Sequence, residues 1–278
     1  MLMLVAVPVD SVLTPLQAFI LGAVQGITEL LPISSSAHLY LVPTLLGWRY
    51  EGVAFDVALH AGTLVALVAA FLDDWLGMAR DANSADLVRR RDARMLFGVI
   101  VLGTIPALIA SKLLDDVADQ LRSVPLQAAT LSVFGVLLWA ADRFSPRSET
   151  VRVPSWRTAL GVGLAQCLAL VPGVSRSGIT MTAGRVAGLS RVSAARFSFL
   201  LSTPITLAAV AYKMLSEGGQ LLGQLPLSTL LIGMVSSALF SFLAIRFMLG
   251  LLRRTGFGVF ALYRVALAAG LLMWAARA

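Results

Sequence analysis

Six stretches of this 278-residue chain stay apolar for long enough to cross a bilayer as helices: 53–72, 95–114, 124–141, 196–215, about 226–252 and 258–276. A helix rises 1.5 Å per residue, so about 20 residues are needed for roughly 30 Å of hydrocarbon. Hydrocarbon supplies no hydrogen bonds, and segments of this length satisfy their backbone only by pairing it within the helix. Composition agrees. The chain is 58% hydrophobic and 13% charged, against roughly 25% charged in a soluble domain, and its mean hydropathy is +0.85. The fold class expected is an all-α integral membrane protein with about six transmembrane helices.

The net charge of +7 comes from 22 basic residues, all but two of them arginine. They gather in loops 73–94 (Arg80, Arg89, Arg90, Arg91, Arg94) and 142–157 (Arg143, Arg147, Arg152, Arg157) and at Arg253 and Arg254. Basic loops between apolar spans mark the cytoplasmic face, so this balance points to membrane topology and not to nucleic acid. The single cysteine, Cys167, excludes an internal disulfide, and a lone thiol in such a setting is ordinary packing. Residues 1–11 read as a short lead with no basic region before an apolar run, so no cleaved signal peptide is expected.

Two polar stretches interrupt the apolar pattern. Gln25 to His38 reads Gln-Gly-Ile-Thr-Glu-Leu-Leu-Pro-Ile-Ser-Ser-Ser-Ala-His. Gln25 and Glu29 are four apart and share one helix face. Pro32 stops that helix. The serines after it suit the N-cap of a new helix from near Ala37 to about Gly47, too short to span. A helix N-terminus binds anions such as phosphate. Glu29, the only acid between Asp10 and Glu51, lies in a last turn where the helix dipole disfavours a carboxylate. It needs a cation, either a metal or an arginine. Pro172 to Thr180, Pro-Gly-Val-Ser-Arg-Ser-Gly-Ile-Thr, repeats the plan of stop, small polar turn and restart. It adds Arg176, whose planar fork suits phosphate oxygens, while Gly173 and Gly178 permit the turn.

Pro32 and Pro172 lie half the chain length apart, and Ser35 and Ser175 keep that offset. Within a single membrane domain, 1–278, this predicts repeat one over about 12–141, a cytoplasmic linker at 142–155 and repeat two over about 156–278. Each repeat holds a re-entrant helix hairpin (12–31 with 37–47; 156–171 with 178–190) and three spans. An odd number of spans inverts the second copy, giving an inverted-topology repeat whose hairpin tips meet near the midplane. Residues 55–62 and 197–204 echo one another weakly.

These motifs resemble those of the bacterial undecaprenyl-diphosphate phosphatases. Gln25 to His38 is similar to their (Glu/Gln)-x-x-x-Glu motif with its serine–histidine run, and Pro172 to Thr180 to their second, Pro-Gly-x-Ser-Arg-Ser-x-x-Thr. The resemblance covers essentially the whole chain. It implies removal of the terminal phosphate of undecaprenyl diphosphate, which recycles the lipid carrier for cell-wall synthesis. It further implies a link to bacitracin resistance, a divalent cation (Mg or Ca), a homodimer and a multi-pass place in the bacterial inner membrane. Carried over by motif position, Glu29, Ser35, His38 and Arg176 are the expected catalytic residues, with Glu29 also the metal ligand. Gln25, Ser34, Ser36, Ser175, Ser177 and Thr180 are the expected substrate-binding set. Gln25, where many members carry glutamate, weakens a model with two anionic metal ligands.

Two function classes meet these residues. In a hydrolase, cation and Arg176 neutralise the diphosphate while Ser35 or a water attacks the terminal phosphorus. In a transporter, the inverted repeat flips a phosphorylated lipid. Only the hydrolase needs a nucleophile beside a base, which the spacing of Ser35 and His38 supplies. No histidine follows His60, which excludes the acid-phosphatase type of lipid phosphatase. The bland alternatives are an N-cap for Ser35, a core histidine for His38 and a structural pair with Arg176 for Glu29. Asp56 and His60, one turn apart in a span, either face the cavity or pair with each other. Arg185, Arg191 and Arg196 are expected to anchor the cytoplasmic interface, and Arg246 and Arg264 to reach lipid phosphate, snorkel or pair. Since both arginine-rich loops share a face, the first hairpin and its reactive groups are expected to open to the outer face.

Overall fold

Thr14 and Pro15 start the first helix, α1 (Pro15–Leu30). The Thr14 hydroxyl accepts the Gln17 amide at 3.3 Å and the Gln17 side chain accepts the Thr14 amide at 2.8 Å, which satisfies two of the donors a helix start leaves over. The computed structural model describes residues 13–48, 52–121, 123–145, 152–221 and 225–276. The lead 1–11 and Arg147 of the linker lie outside the described residues. Within them the order after α1 is α2 (Ser35–Leu46), α3 (Val53–Ala70), α4 (Leu72–Asp81), α5 (Leu87–Gln120), α6 (Val124–Phe144), α7 (Trp156–Gln166), a 3₁₀ turn (Cys167–Leu170), α8 (Arg176–Val186), α9 (Arg191–Leu221), α10 (Leu227–Leu252) and α11 (Gly258–Ala275). No strand occurs among the described residues.

Five helical segments are long and apolar enough to span: Leu87–Leu114, Val124–Phe144, Arg191–Ser216, Leu227–Leu252 and Gly258–Ala275. Ala54–Ala70 and Leu72–Asp81, bent by 60° where they meet, form a sixth. The protein is an all-α integral membrane protein. The expected loop 73–94 is largely helix, as α4 and the first turns of α5. Asp73 and Asp74 sit in the first turn of α4 and Arg80 in its last, where each charge complements the helix dipole. Hydropathy ends a membrane span at such charges, but it does not end a helix.

The short helices pack on long ones from the other half of the sequence: α1 lies along α10, which also carries α3, and α7 lies along α5. The approach is close because the crossings are built from small residues. A Cβ on Gly26 would stand 2.6 Å from the Ser237 carbonyl oxygen, and one on Gly163 2.5 Å from that of Gly103. At the arginine-rich end the expected interface anchors are ion pairs. Buried Asp142 accepts Arg191 Nε at 2.7 Å and the Phe257 amide at 3.0 Å, with Arg185 Nε at 3.3 Å, and Arg196 pairs with Asp74. Arginines next to carboxylates in a half-buried setting give up the lipid interface for those partners.

Candidate active site

Both breaks place a serine where serine rarely goes. Ser34 has φ 76° and Ser175 φ 71°, the left-handed region that favours glycine. Each is the N-cap of the helix that follows, α2 and α8. The two breaks match in detail: Ser34 Oγ lies 3.1 Å from Ser36 Oγ, and Ser175 Oγ 3.2 Å from Ser177 Oγ. Ser34, not Ser35, is therefore the counterpart of Ser175, one position off the offset read from the prolines. The register slips because one residue separates Pro32 from its cap and two separate Pro172 from its own. Ser35 and Arg176 are the corresponding first residues of their helices, and the strained cap turns both into the same cavity.

There they meet Glu29. The Glu29 carboxylate, 9% exposed, takes Arg176 Nη2 on Oε1 at 2.6 Å and the Ser35 hydroxyl on Oε2. Gln25 Nε2 reaches Oε2 at 3.4 Å from one turn earlier. Arg176 Nη1 donates to Thr206 Oγ1 at 2.9 Å and to the Ser202 carbonyl at 3.4 Å. The cation that Glu29 requires is thus Arg176, delivered from the other break. A hydroxyl, a carboxylate and a guanidinium form one connected group in an interior where each alone is costly.

The histidines reverse their expected places. His38 Nδ1 lies 2.7 Å from the Ser34 carbonyl and Nε2 2.7 Å from Tyr263 Oη. A carbonyl can only accept, so Nδ1 carries the proton and Nε2 accepts from the tyrosine. Both ring nitrogens are engaged away from Ser35, the ring stacks on Tyr263 at 5.7 Å, and His38 lines neither cavity of the site. The expected Ser35–His38 contact is absent because the Ser35 hydroxyl turns to Glu29 while the His38 ring turns to the Ser34 carbonyl and Tyr263. His60 takes the place at the cavity. Its Nδ1 donates to the Asp56 carbonyl at 2.8 Å, which turns Nε2 to within 3.9 Å of Glu29 Oε2.

Two adjoining cavities, about 480 Å³ and 240 Å³, share Ser35, Ser36 and His60 in their walls. The larger also reaches Gln25 and Asp56, and the smaller Glu29, Ser34, Ser175, Arg176 and Thr206. Gln166 lines the smaller one, buried, with its amide nitrogen and oxygen unbonded to any described residue. It was missed in the sequence, although it precedes the second break much as Gln25 precedes the first. Ser177 and Thr180, expected to bind substrate, line neither cavity. Ser177 donates to the Leu31 carbonyl at 3.0 Å, tying one break to the other, and Thr180 meets the Arg176 carbonyl at 2.8 Å and Ser198 Oγ at 2.6 Å. Buried hydroxyls close to carbonyls satisfy themselves there.

Arg264 is not at the lipid surface. Fully buried, it donates to the carbonyls of Gly173 and Val174 at 3.0 Å, of Leu131 at 3.1 Å, and of Thr130 and Pro32 at 3.4 Å. One guanidinium fork thereby holds the backbone of both breaks. No group of three histidine, cysteine or acidic residues suited to a metal occurs among the described residues. A hard divalent ion that keeps substrate oxygens and waters needs fewer protein ligands. The residues that could serve such an ion are Glu29, whose two oxygens already take Arg176 and Ser35, and Gln25 Oε1, buried without a partner among the described residues.

The comparisons with known proteins agree on one family. The model for "Bacitracin resistance protein BacA" matches residues 18–270. A protein of Gemmatimonas aurantiaca named undecaprenyl-diphosphatase is 50% identical over 260 residues, covering 92% of this chain and 96% of that protein. One of Stutzerimonas stutzeri named undecaprenyl-diphosphatase 2 is 47% identical over 267 residues, covering 93% and 97%. One of Pelotomaculum thermopropionicum named undecaprenyl-diphosphatase is 44% identical over 271 residues, covering 95% and 98%.

Proposed function

The chain belongs to the bacitracin resistance protein BacA family, and on that premise we infer that it hydrolyses undecaprenyl diphosphate to undecaprenyl phosphate and inorganic phosphate. The observation that carries this reading is the joining of Glu29, Ser35 and Arg176, from two separate helix breaks, in the wall of one cavity. Phosphoryl transfer asks a protein mainly for placement and for neutralised charge. Two helix N-termini and a guanidinium supply the charge. Bonds to Glu29, Thr206 and Ser202 leave Arg176 its Nε–H and one Nη2–H for phosphate oxygens. Gln166 offers an amide N–H₂ to the same anion.

The Ser35 hydroxyl, donating to Glu29, directs an oxygen lone pair toward the cavity. Attack on the terminal phosphorus by that oxygen, or by a water it orients, breaks the anhydride P–O bond. Glu29 takes the proton and undecaprenyl phosphate departs. Attack by water releases inorganic phosphate at once, whereas attack by Ser35 leaves a phosphoserine that a water then hydrolyses to free the serine and inorganic phosphate. His60 Nε2 stands 3.9 Å from Glu29 Oε2, beside the contacts with Arg176, Ser35 and Gln25. Glu29 and the Gln25 amide oxygen would hold a divalent cation, Mg or Ca, whose chemistry is to neutralise the diphosphate. Purified protein in detergent is expected to release inorganic phosphate from undecaprenyl diphosphate, and a chelator to stop it. Gln25→Glu should stay active, whereas Glu29→Gln should lose cation-dependent turnover. Equal inactivation by both substitutions would make the pair a strict two-ligand site.

The protein is a homodimer of the bacterial inner membrane, each chain an inverted repeat of two halves. The arginine-rich ends of α5 and α9 lie in the cytoplasm, and the reactive groups open to the outer face, where cell-wall polymerisation releases the diphosphate carrier. Ser36 is exposed and lines both cavities. Ser36→Cys, in a chain whose Cys167 is replaced by alanine, should react with a membrane-impermeant thiol reagent in intact cells. Labelling only after the cytoplasmic face is opened would reverse the topology.

A further inference from the structure

The chain has two lysines among its 22 basic residues, and both line one cavity. This third cavity, about 450 Å³, lies between α5 and α9. Leu108, Ile205 and Ala208 contribute to its apolar wall, and Lys112 and Lys213 stand in it as well. Lys112 comes 25 residues after Leu87 and Lys213 22 residues after Arg191, roughly 35 Å along each helix at 1.5 Å per residue. The two ammonium groups are thus at the end of the helices remote from the arginine-rich face. The cavity adjoins the active-site cavity, with Ser111, Leu170, Ile205 and Ala209 in the walls of both. Along α5 and α9, beside Leu170 of the 3₁₀ turn, the two cavities reach from two lysines, past an apolar wall, to Thr206 and Arg176.

We propose that this cavity is the entry and seat of the isoprenoid chain of the substrate. The inference rests on reading the site as a polyprenyl-diphosphate phosphatase. The diphosphate is drawn to Lys112 and Lys213, passes between α5 and α9 to Arg176, and the isoprene units next to it come to lie along Leu108, Ile205 and Ala208. Charge and shape both fit that occupant. A lipid diphosphate joins a polyanion to a branched hydrocarbon, and the cavity joins two cations to an apolar wall. Lysine suits the mouth because an ammonium attracts as a point charge without the bidentate grip of arginine, so the anion can be handed to the fork at Arg176. Each wall helix carries a proline where the two cavities meet, Pro106 in α5 and Pro204 in α9. The missing backbone hydrogen bond gives each helix a place to bend as the headgroup passes.

The test uses the full-length protein in detergent and two substrates, undecaprenyl diphosphate and a five-carbon isoprenyl diphosphate. Ala208→Trp fills the apolar wall without touching the reactive groups. Lys112→Gln with Lys213→Gln removes the charges, and focused fields of this kind raise capture rates by about tenfold or more. Ala208→Trp should lower kcat/KM for the lipid and keep wild-type kcat/KM for the short substrate, which also shows that it folds. The lysine pair should lose about tenfold in kcat/KM on both diphosphates and keep the parent's kcat. A polyprenyl diphosphate carrying a diazirine in its first isoprene units should label peptides of α5 and α9. Equal loss on both substrates by Ala208→Trp, an unchanged kcat/KM for the lysine pair, or labelling of α10 and α11 instead, overturns the proposal. Labelling of α5 and α9 by a wild-type protein that releases no phosphate keeps the seat and overturns the phosphatase reading.

Discussion

Arg176→Lys is expected to lower turnover on the order of 100-fold, nearly as much as Arg176→Ala, the scale of removing one stabiliser of transition-state charge. The loss follows from geometry and not from charge, which lysine keeps. Arg176 spans Glu29, Thr206 and the Ser202 carbonyl with three N–H groups of one plane and has two left for phosphate. An ammonium at the end of a flexible stem cannot hold the carboxylate and the hydroxyl while also presenting a flat pair of donors. Phosphate release under saturating lipid checks this. A lysine variant with most of its activity would mean that the positive charge suffices.

Arg264→Met should act on the fold itself. The carbonyls of Pro32, Gly173 and Val174 lie in the helix breaks, and Arg264 is the donor that reaches them. Methionine has comparable length and no donor, so these carbonyls are left buried and unpaired at about 1–3 kcal/mol each. A total of several kcal/mol is a large part of the stability of an ordinary protein, about 5–15 kcal/mol. The variant should show a thermal midpoint in detergent well below that of the parent, with loosened breaks and lost activity. Arg264→Lys should recover only part, because one ammonium cannot reach carbonyls on both sides of the fork. An unchanged midpoint for Arg264→Met would show that the breaks are held by something else.

How much of this was visible beforehand depended on what each residue bonds. Glu29 and Arg176 stood out as charges in apolar stretches, and each required an opposite partner; meeting one another was the natural solution. The breaks were legible from Pro32 and Pro172 because proline and the residue before it resist α geometry. His38 and His60 were not separable. Spacing places a ring on a helix face but does not say which acceptor its Nδ1 finds, and the partner that draws His38 inward, Tyr263, lies 225 positions away. Arg264 misled for a related reason: its partners are backbone carbonyls, which carry no mark in a sequence. Ser177 and Thr180 sit within a motif rich in phosphate-binding residues, yet their hydroxyls close on Leu31, Arg176 and Ser198. The helix α4 was hidden because charge ends an apolar run while dipole complementarity lets the helix continue.

The central claim, that the hydroxyl joined to Glu29 and Arg176 is where phosphate is lost, is tested most directly by Ser35→Ala. Binding of undecaprenyl diphosphate and release of inorganic phosphate would be measured on the same purified sample, next to the parent chain. The account predicts a parent that binds and releases phosphate, and a variant that binds with similar affinity and releases it at least about 100-fold more slowly. A Ser35→Ala variant that turns over like its parent would contradict the assignment of the site. A parent that binds the lipid and releases no phosphate with any divalent cation would contradict hydrolysis and leave transport.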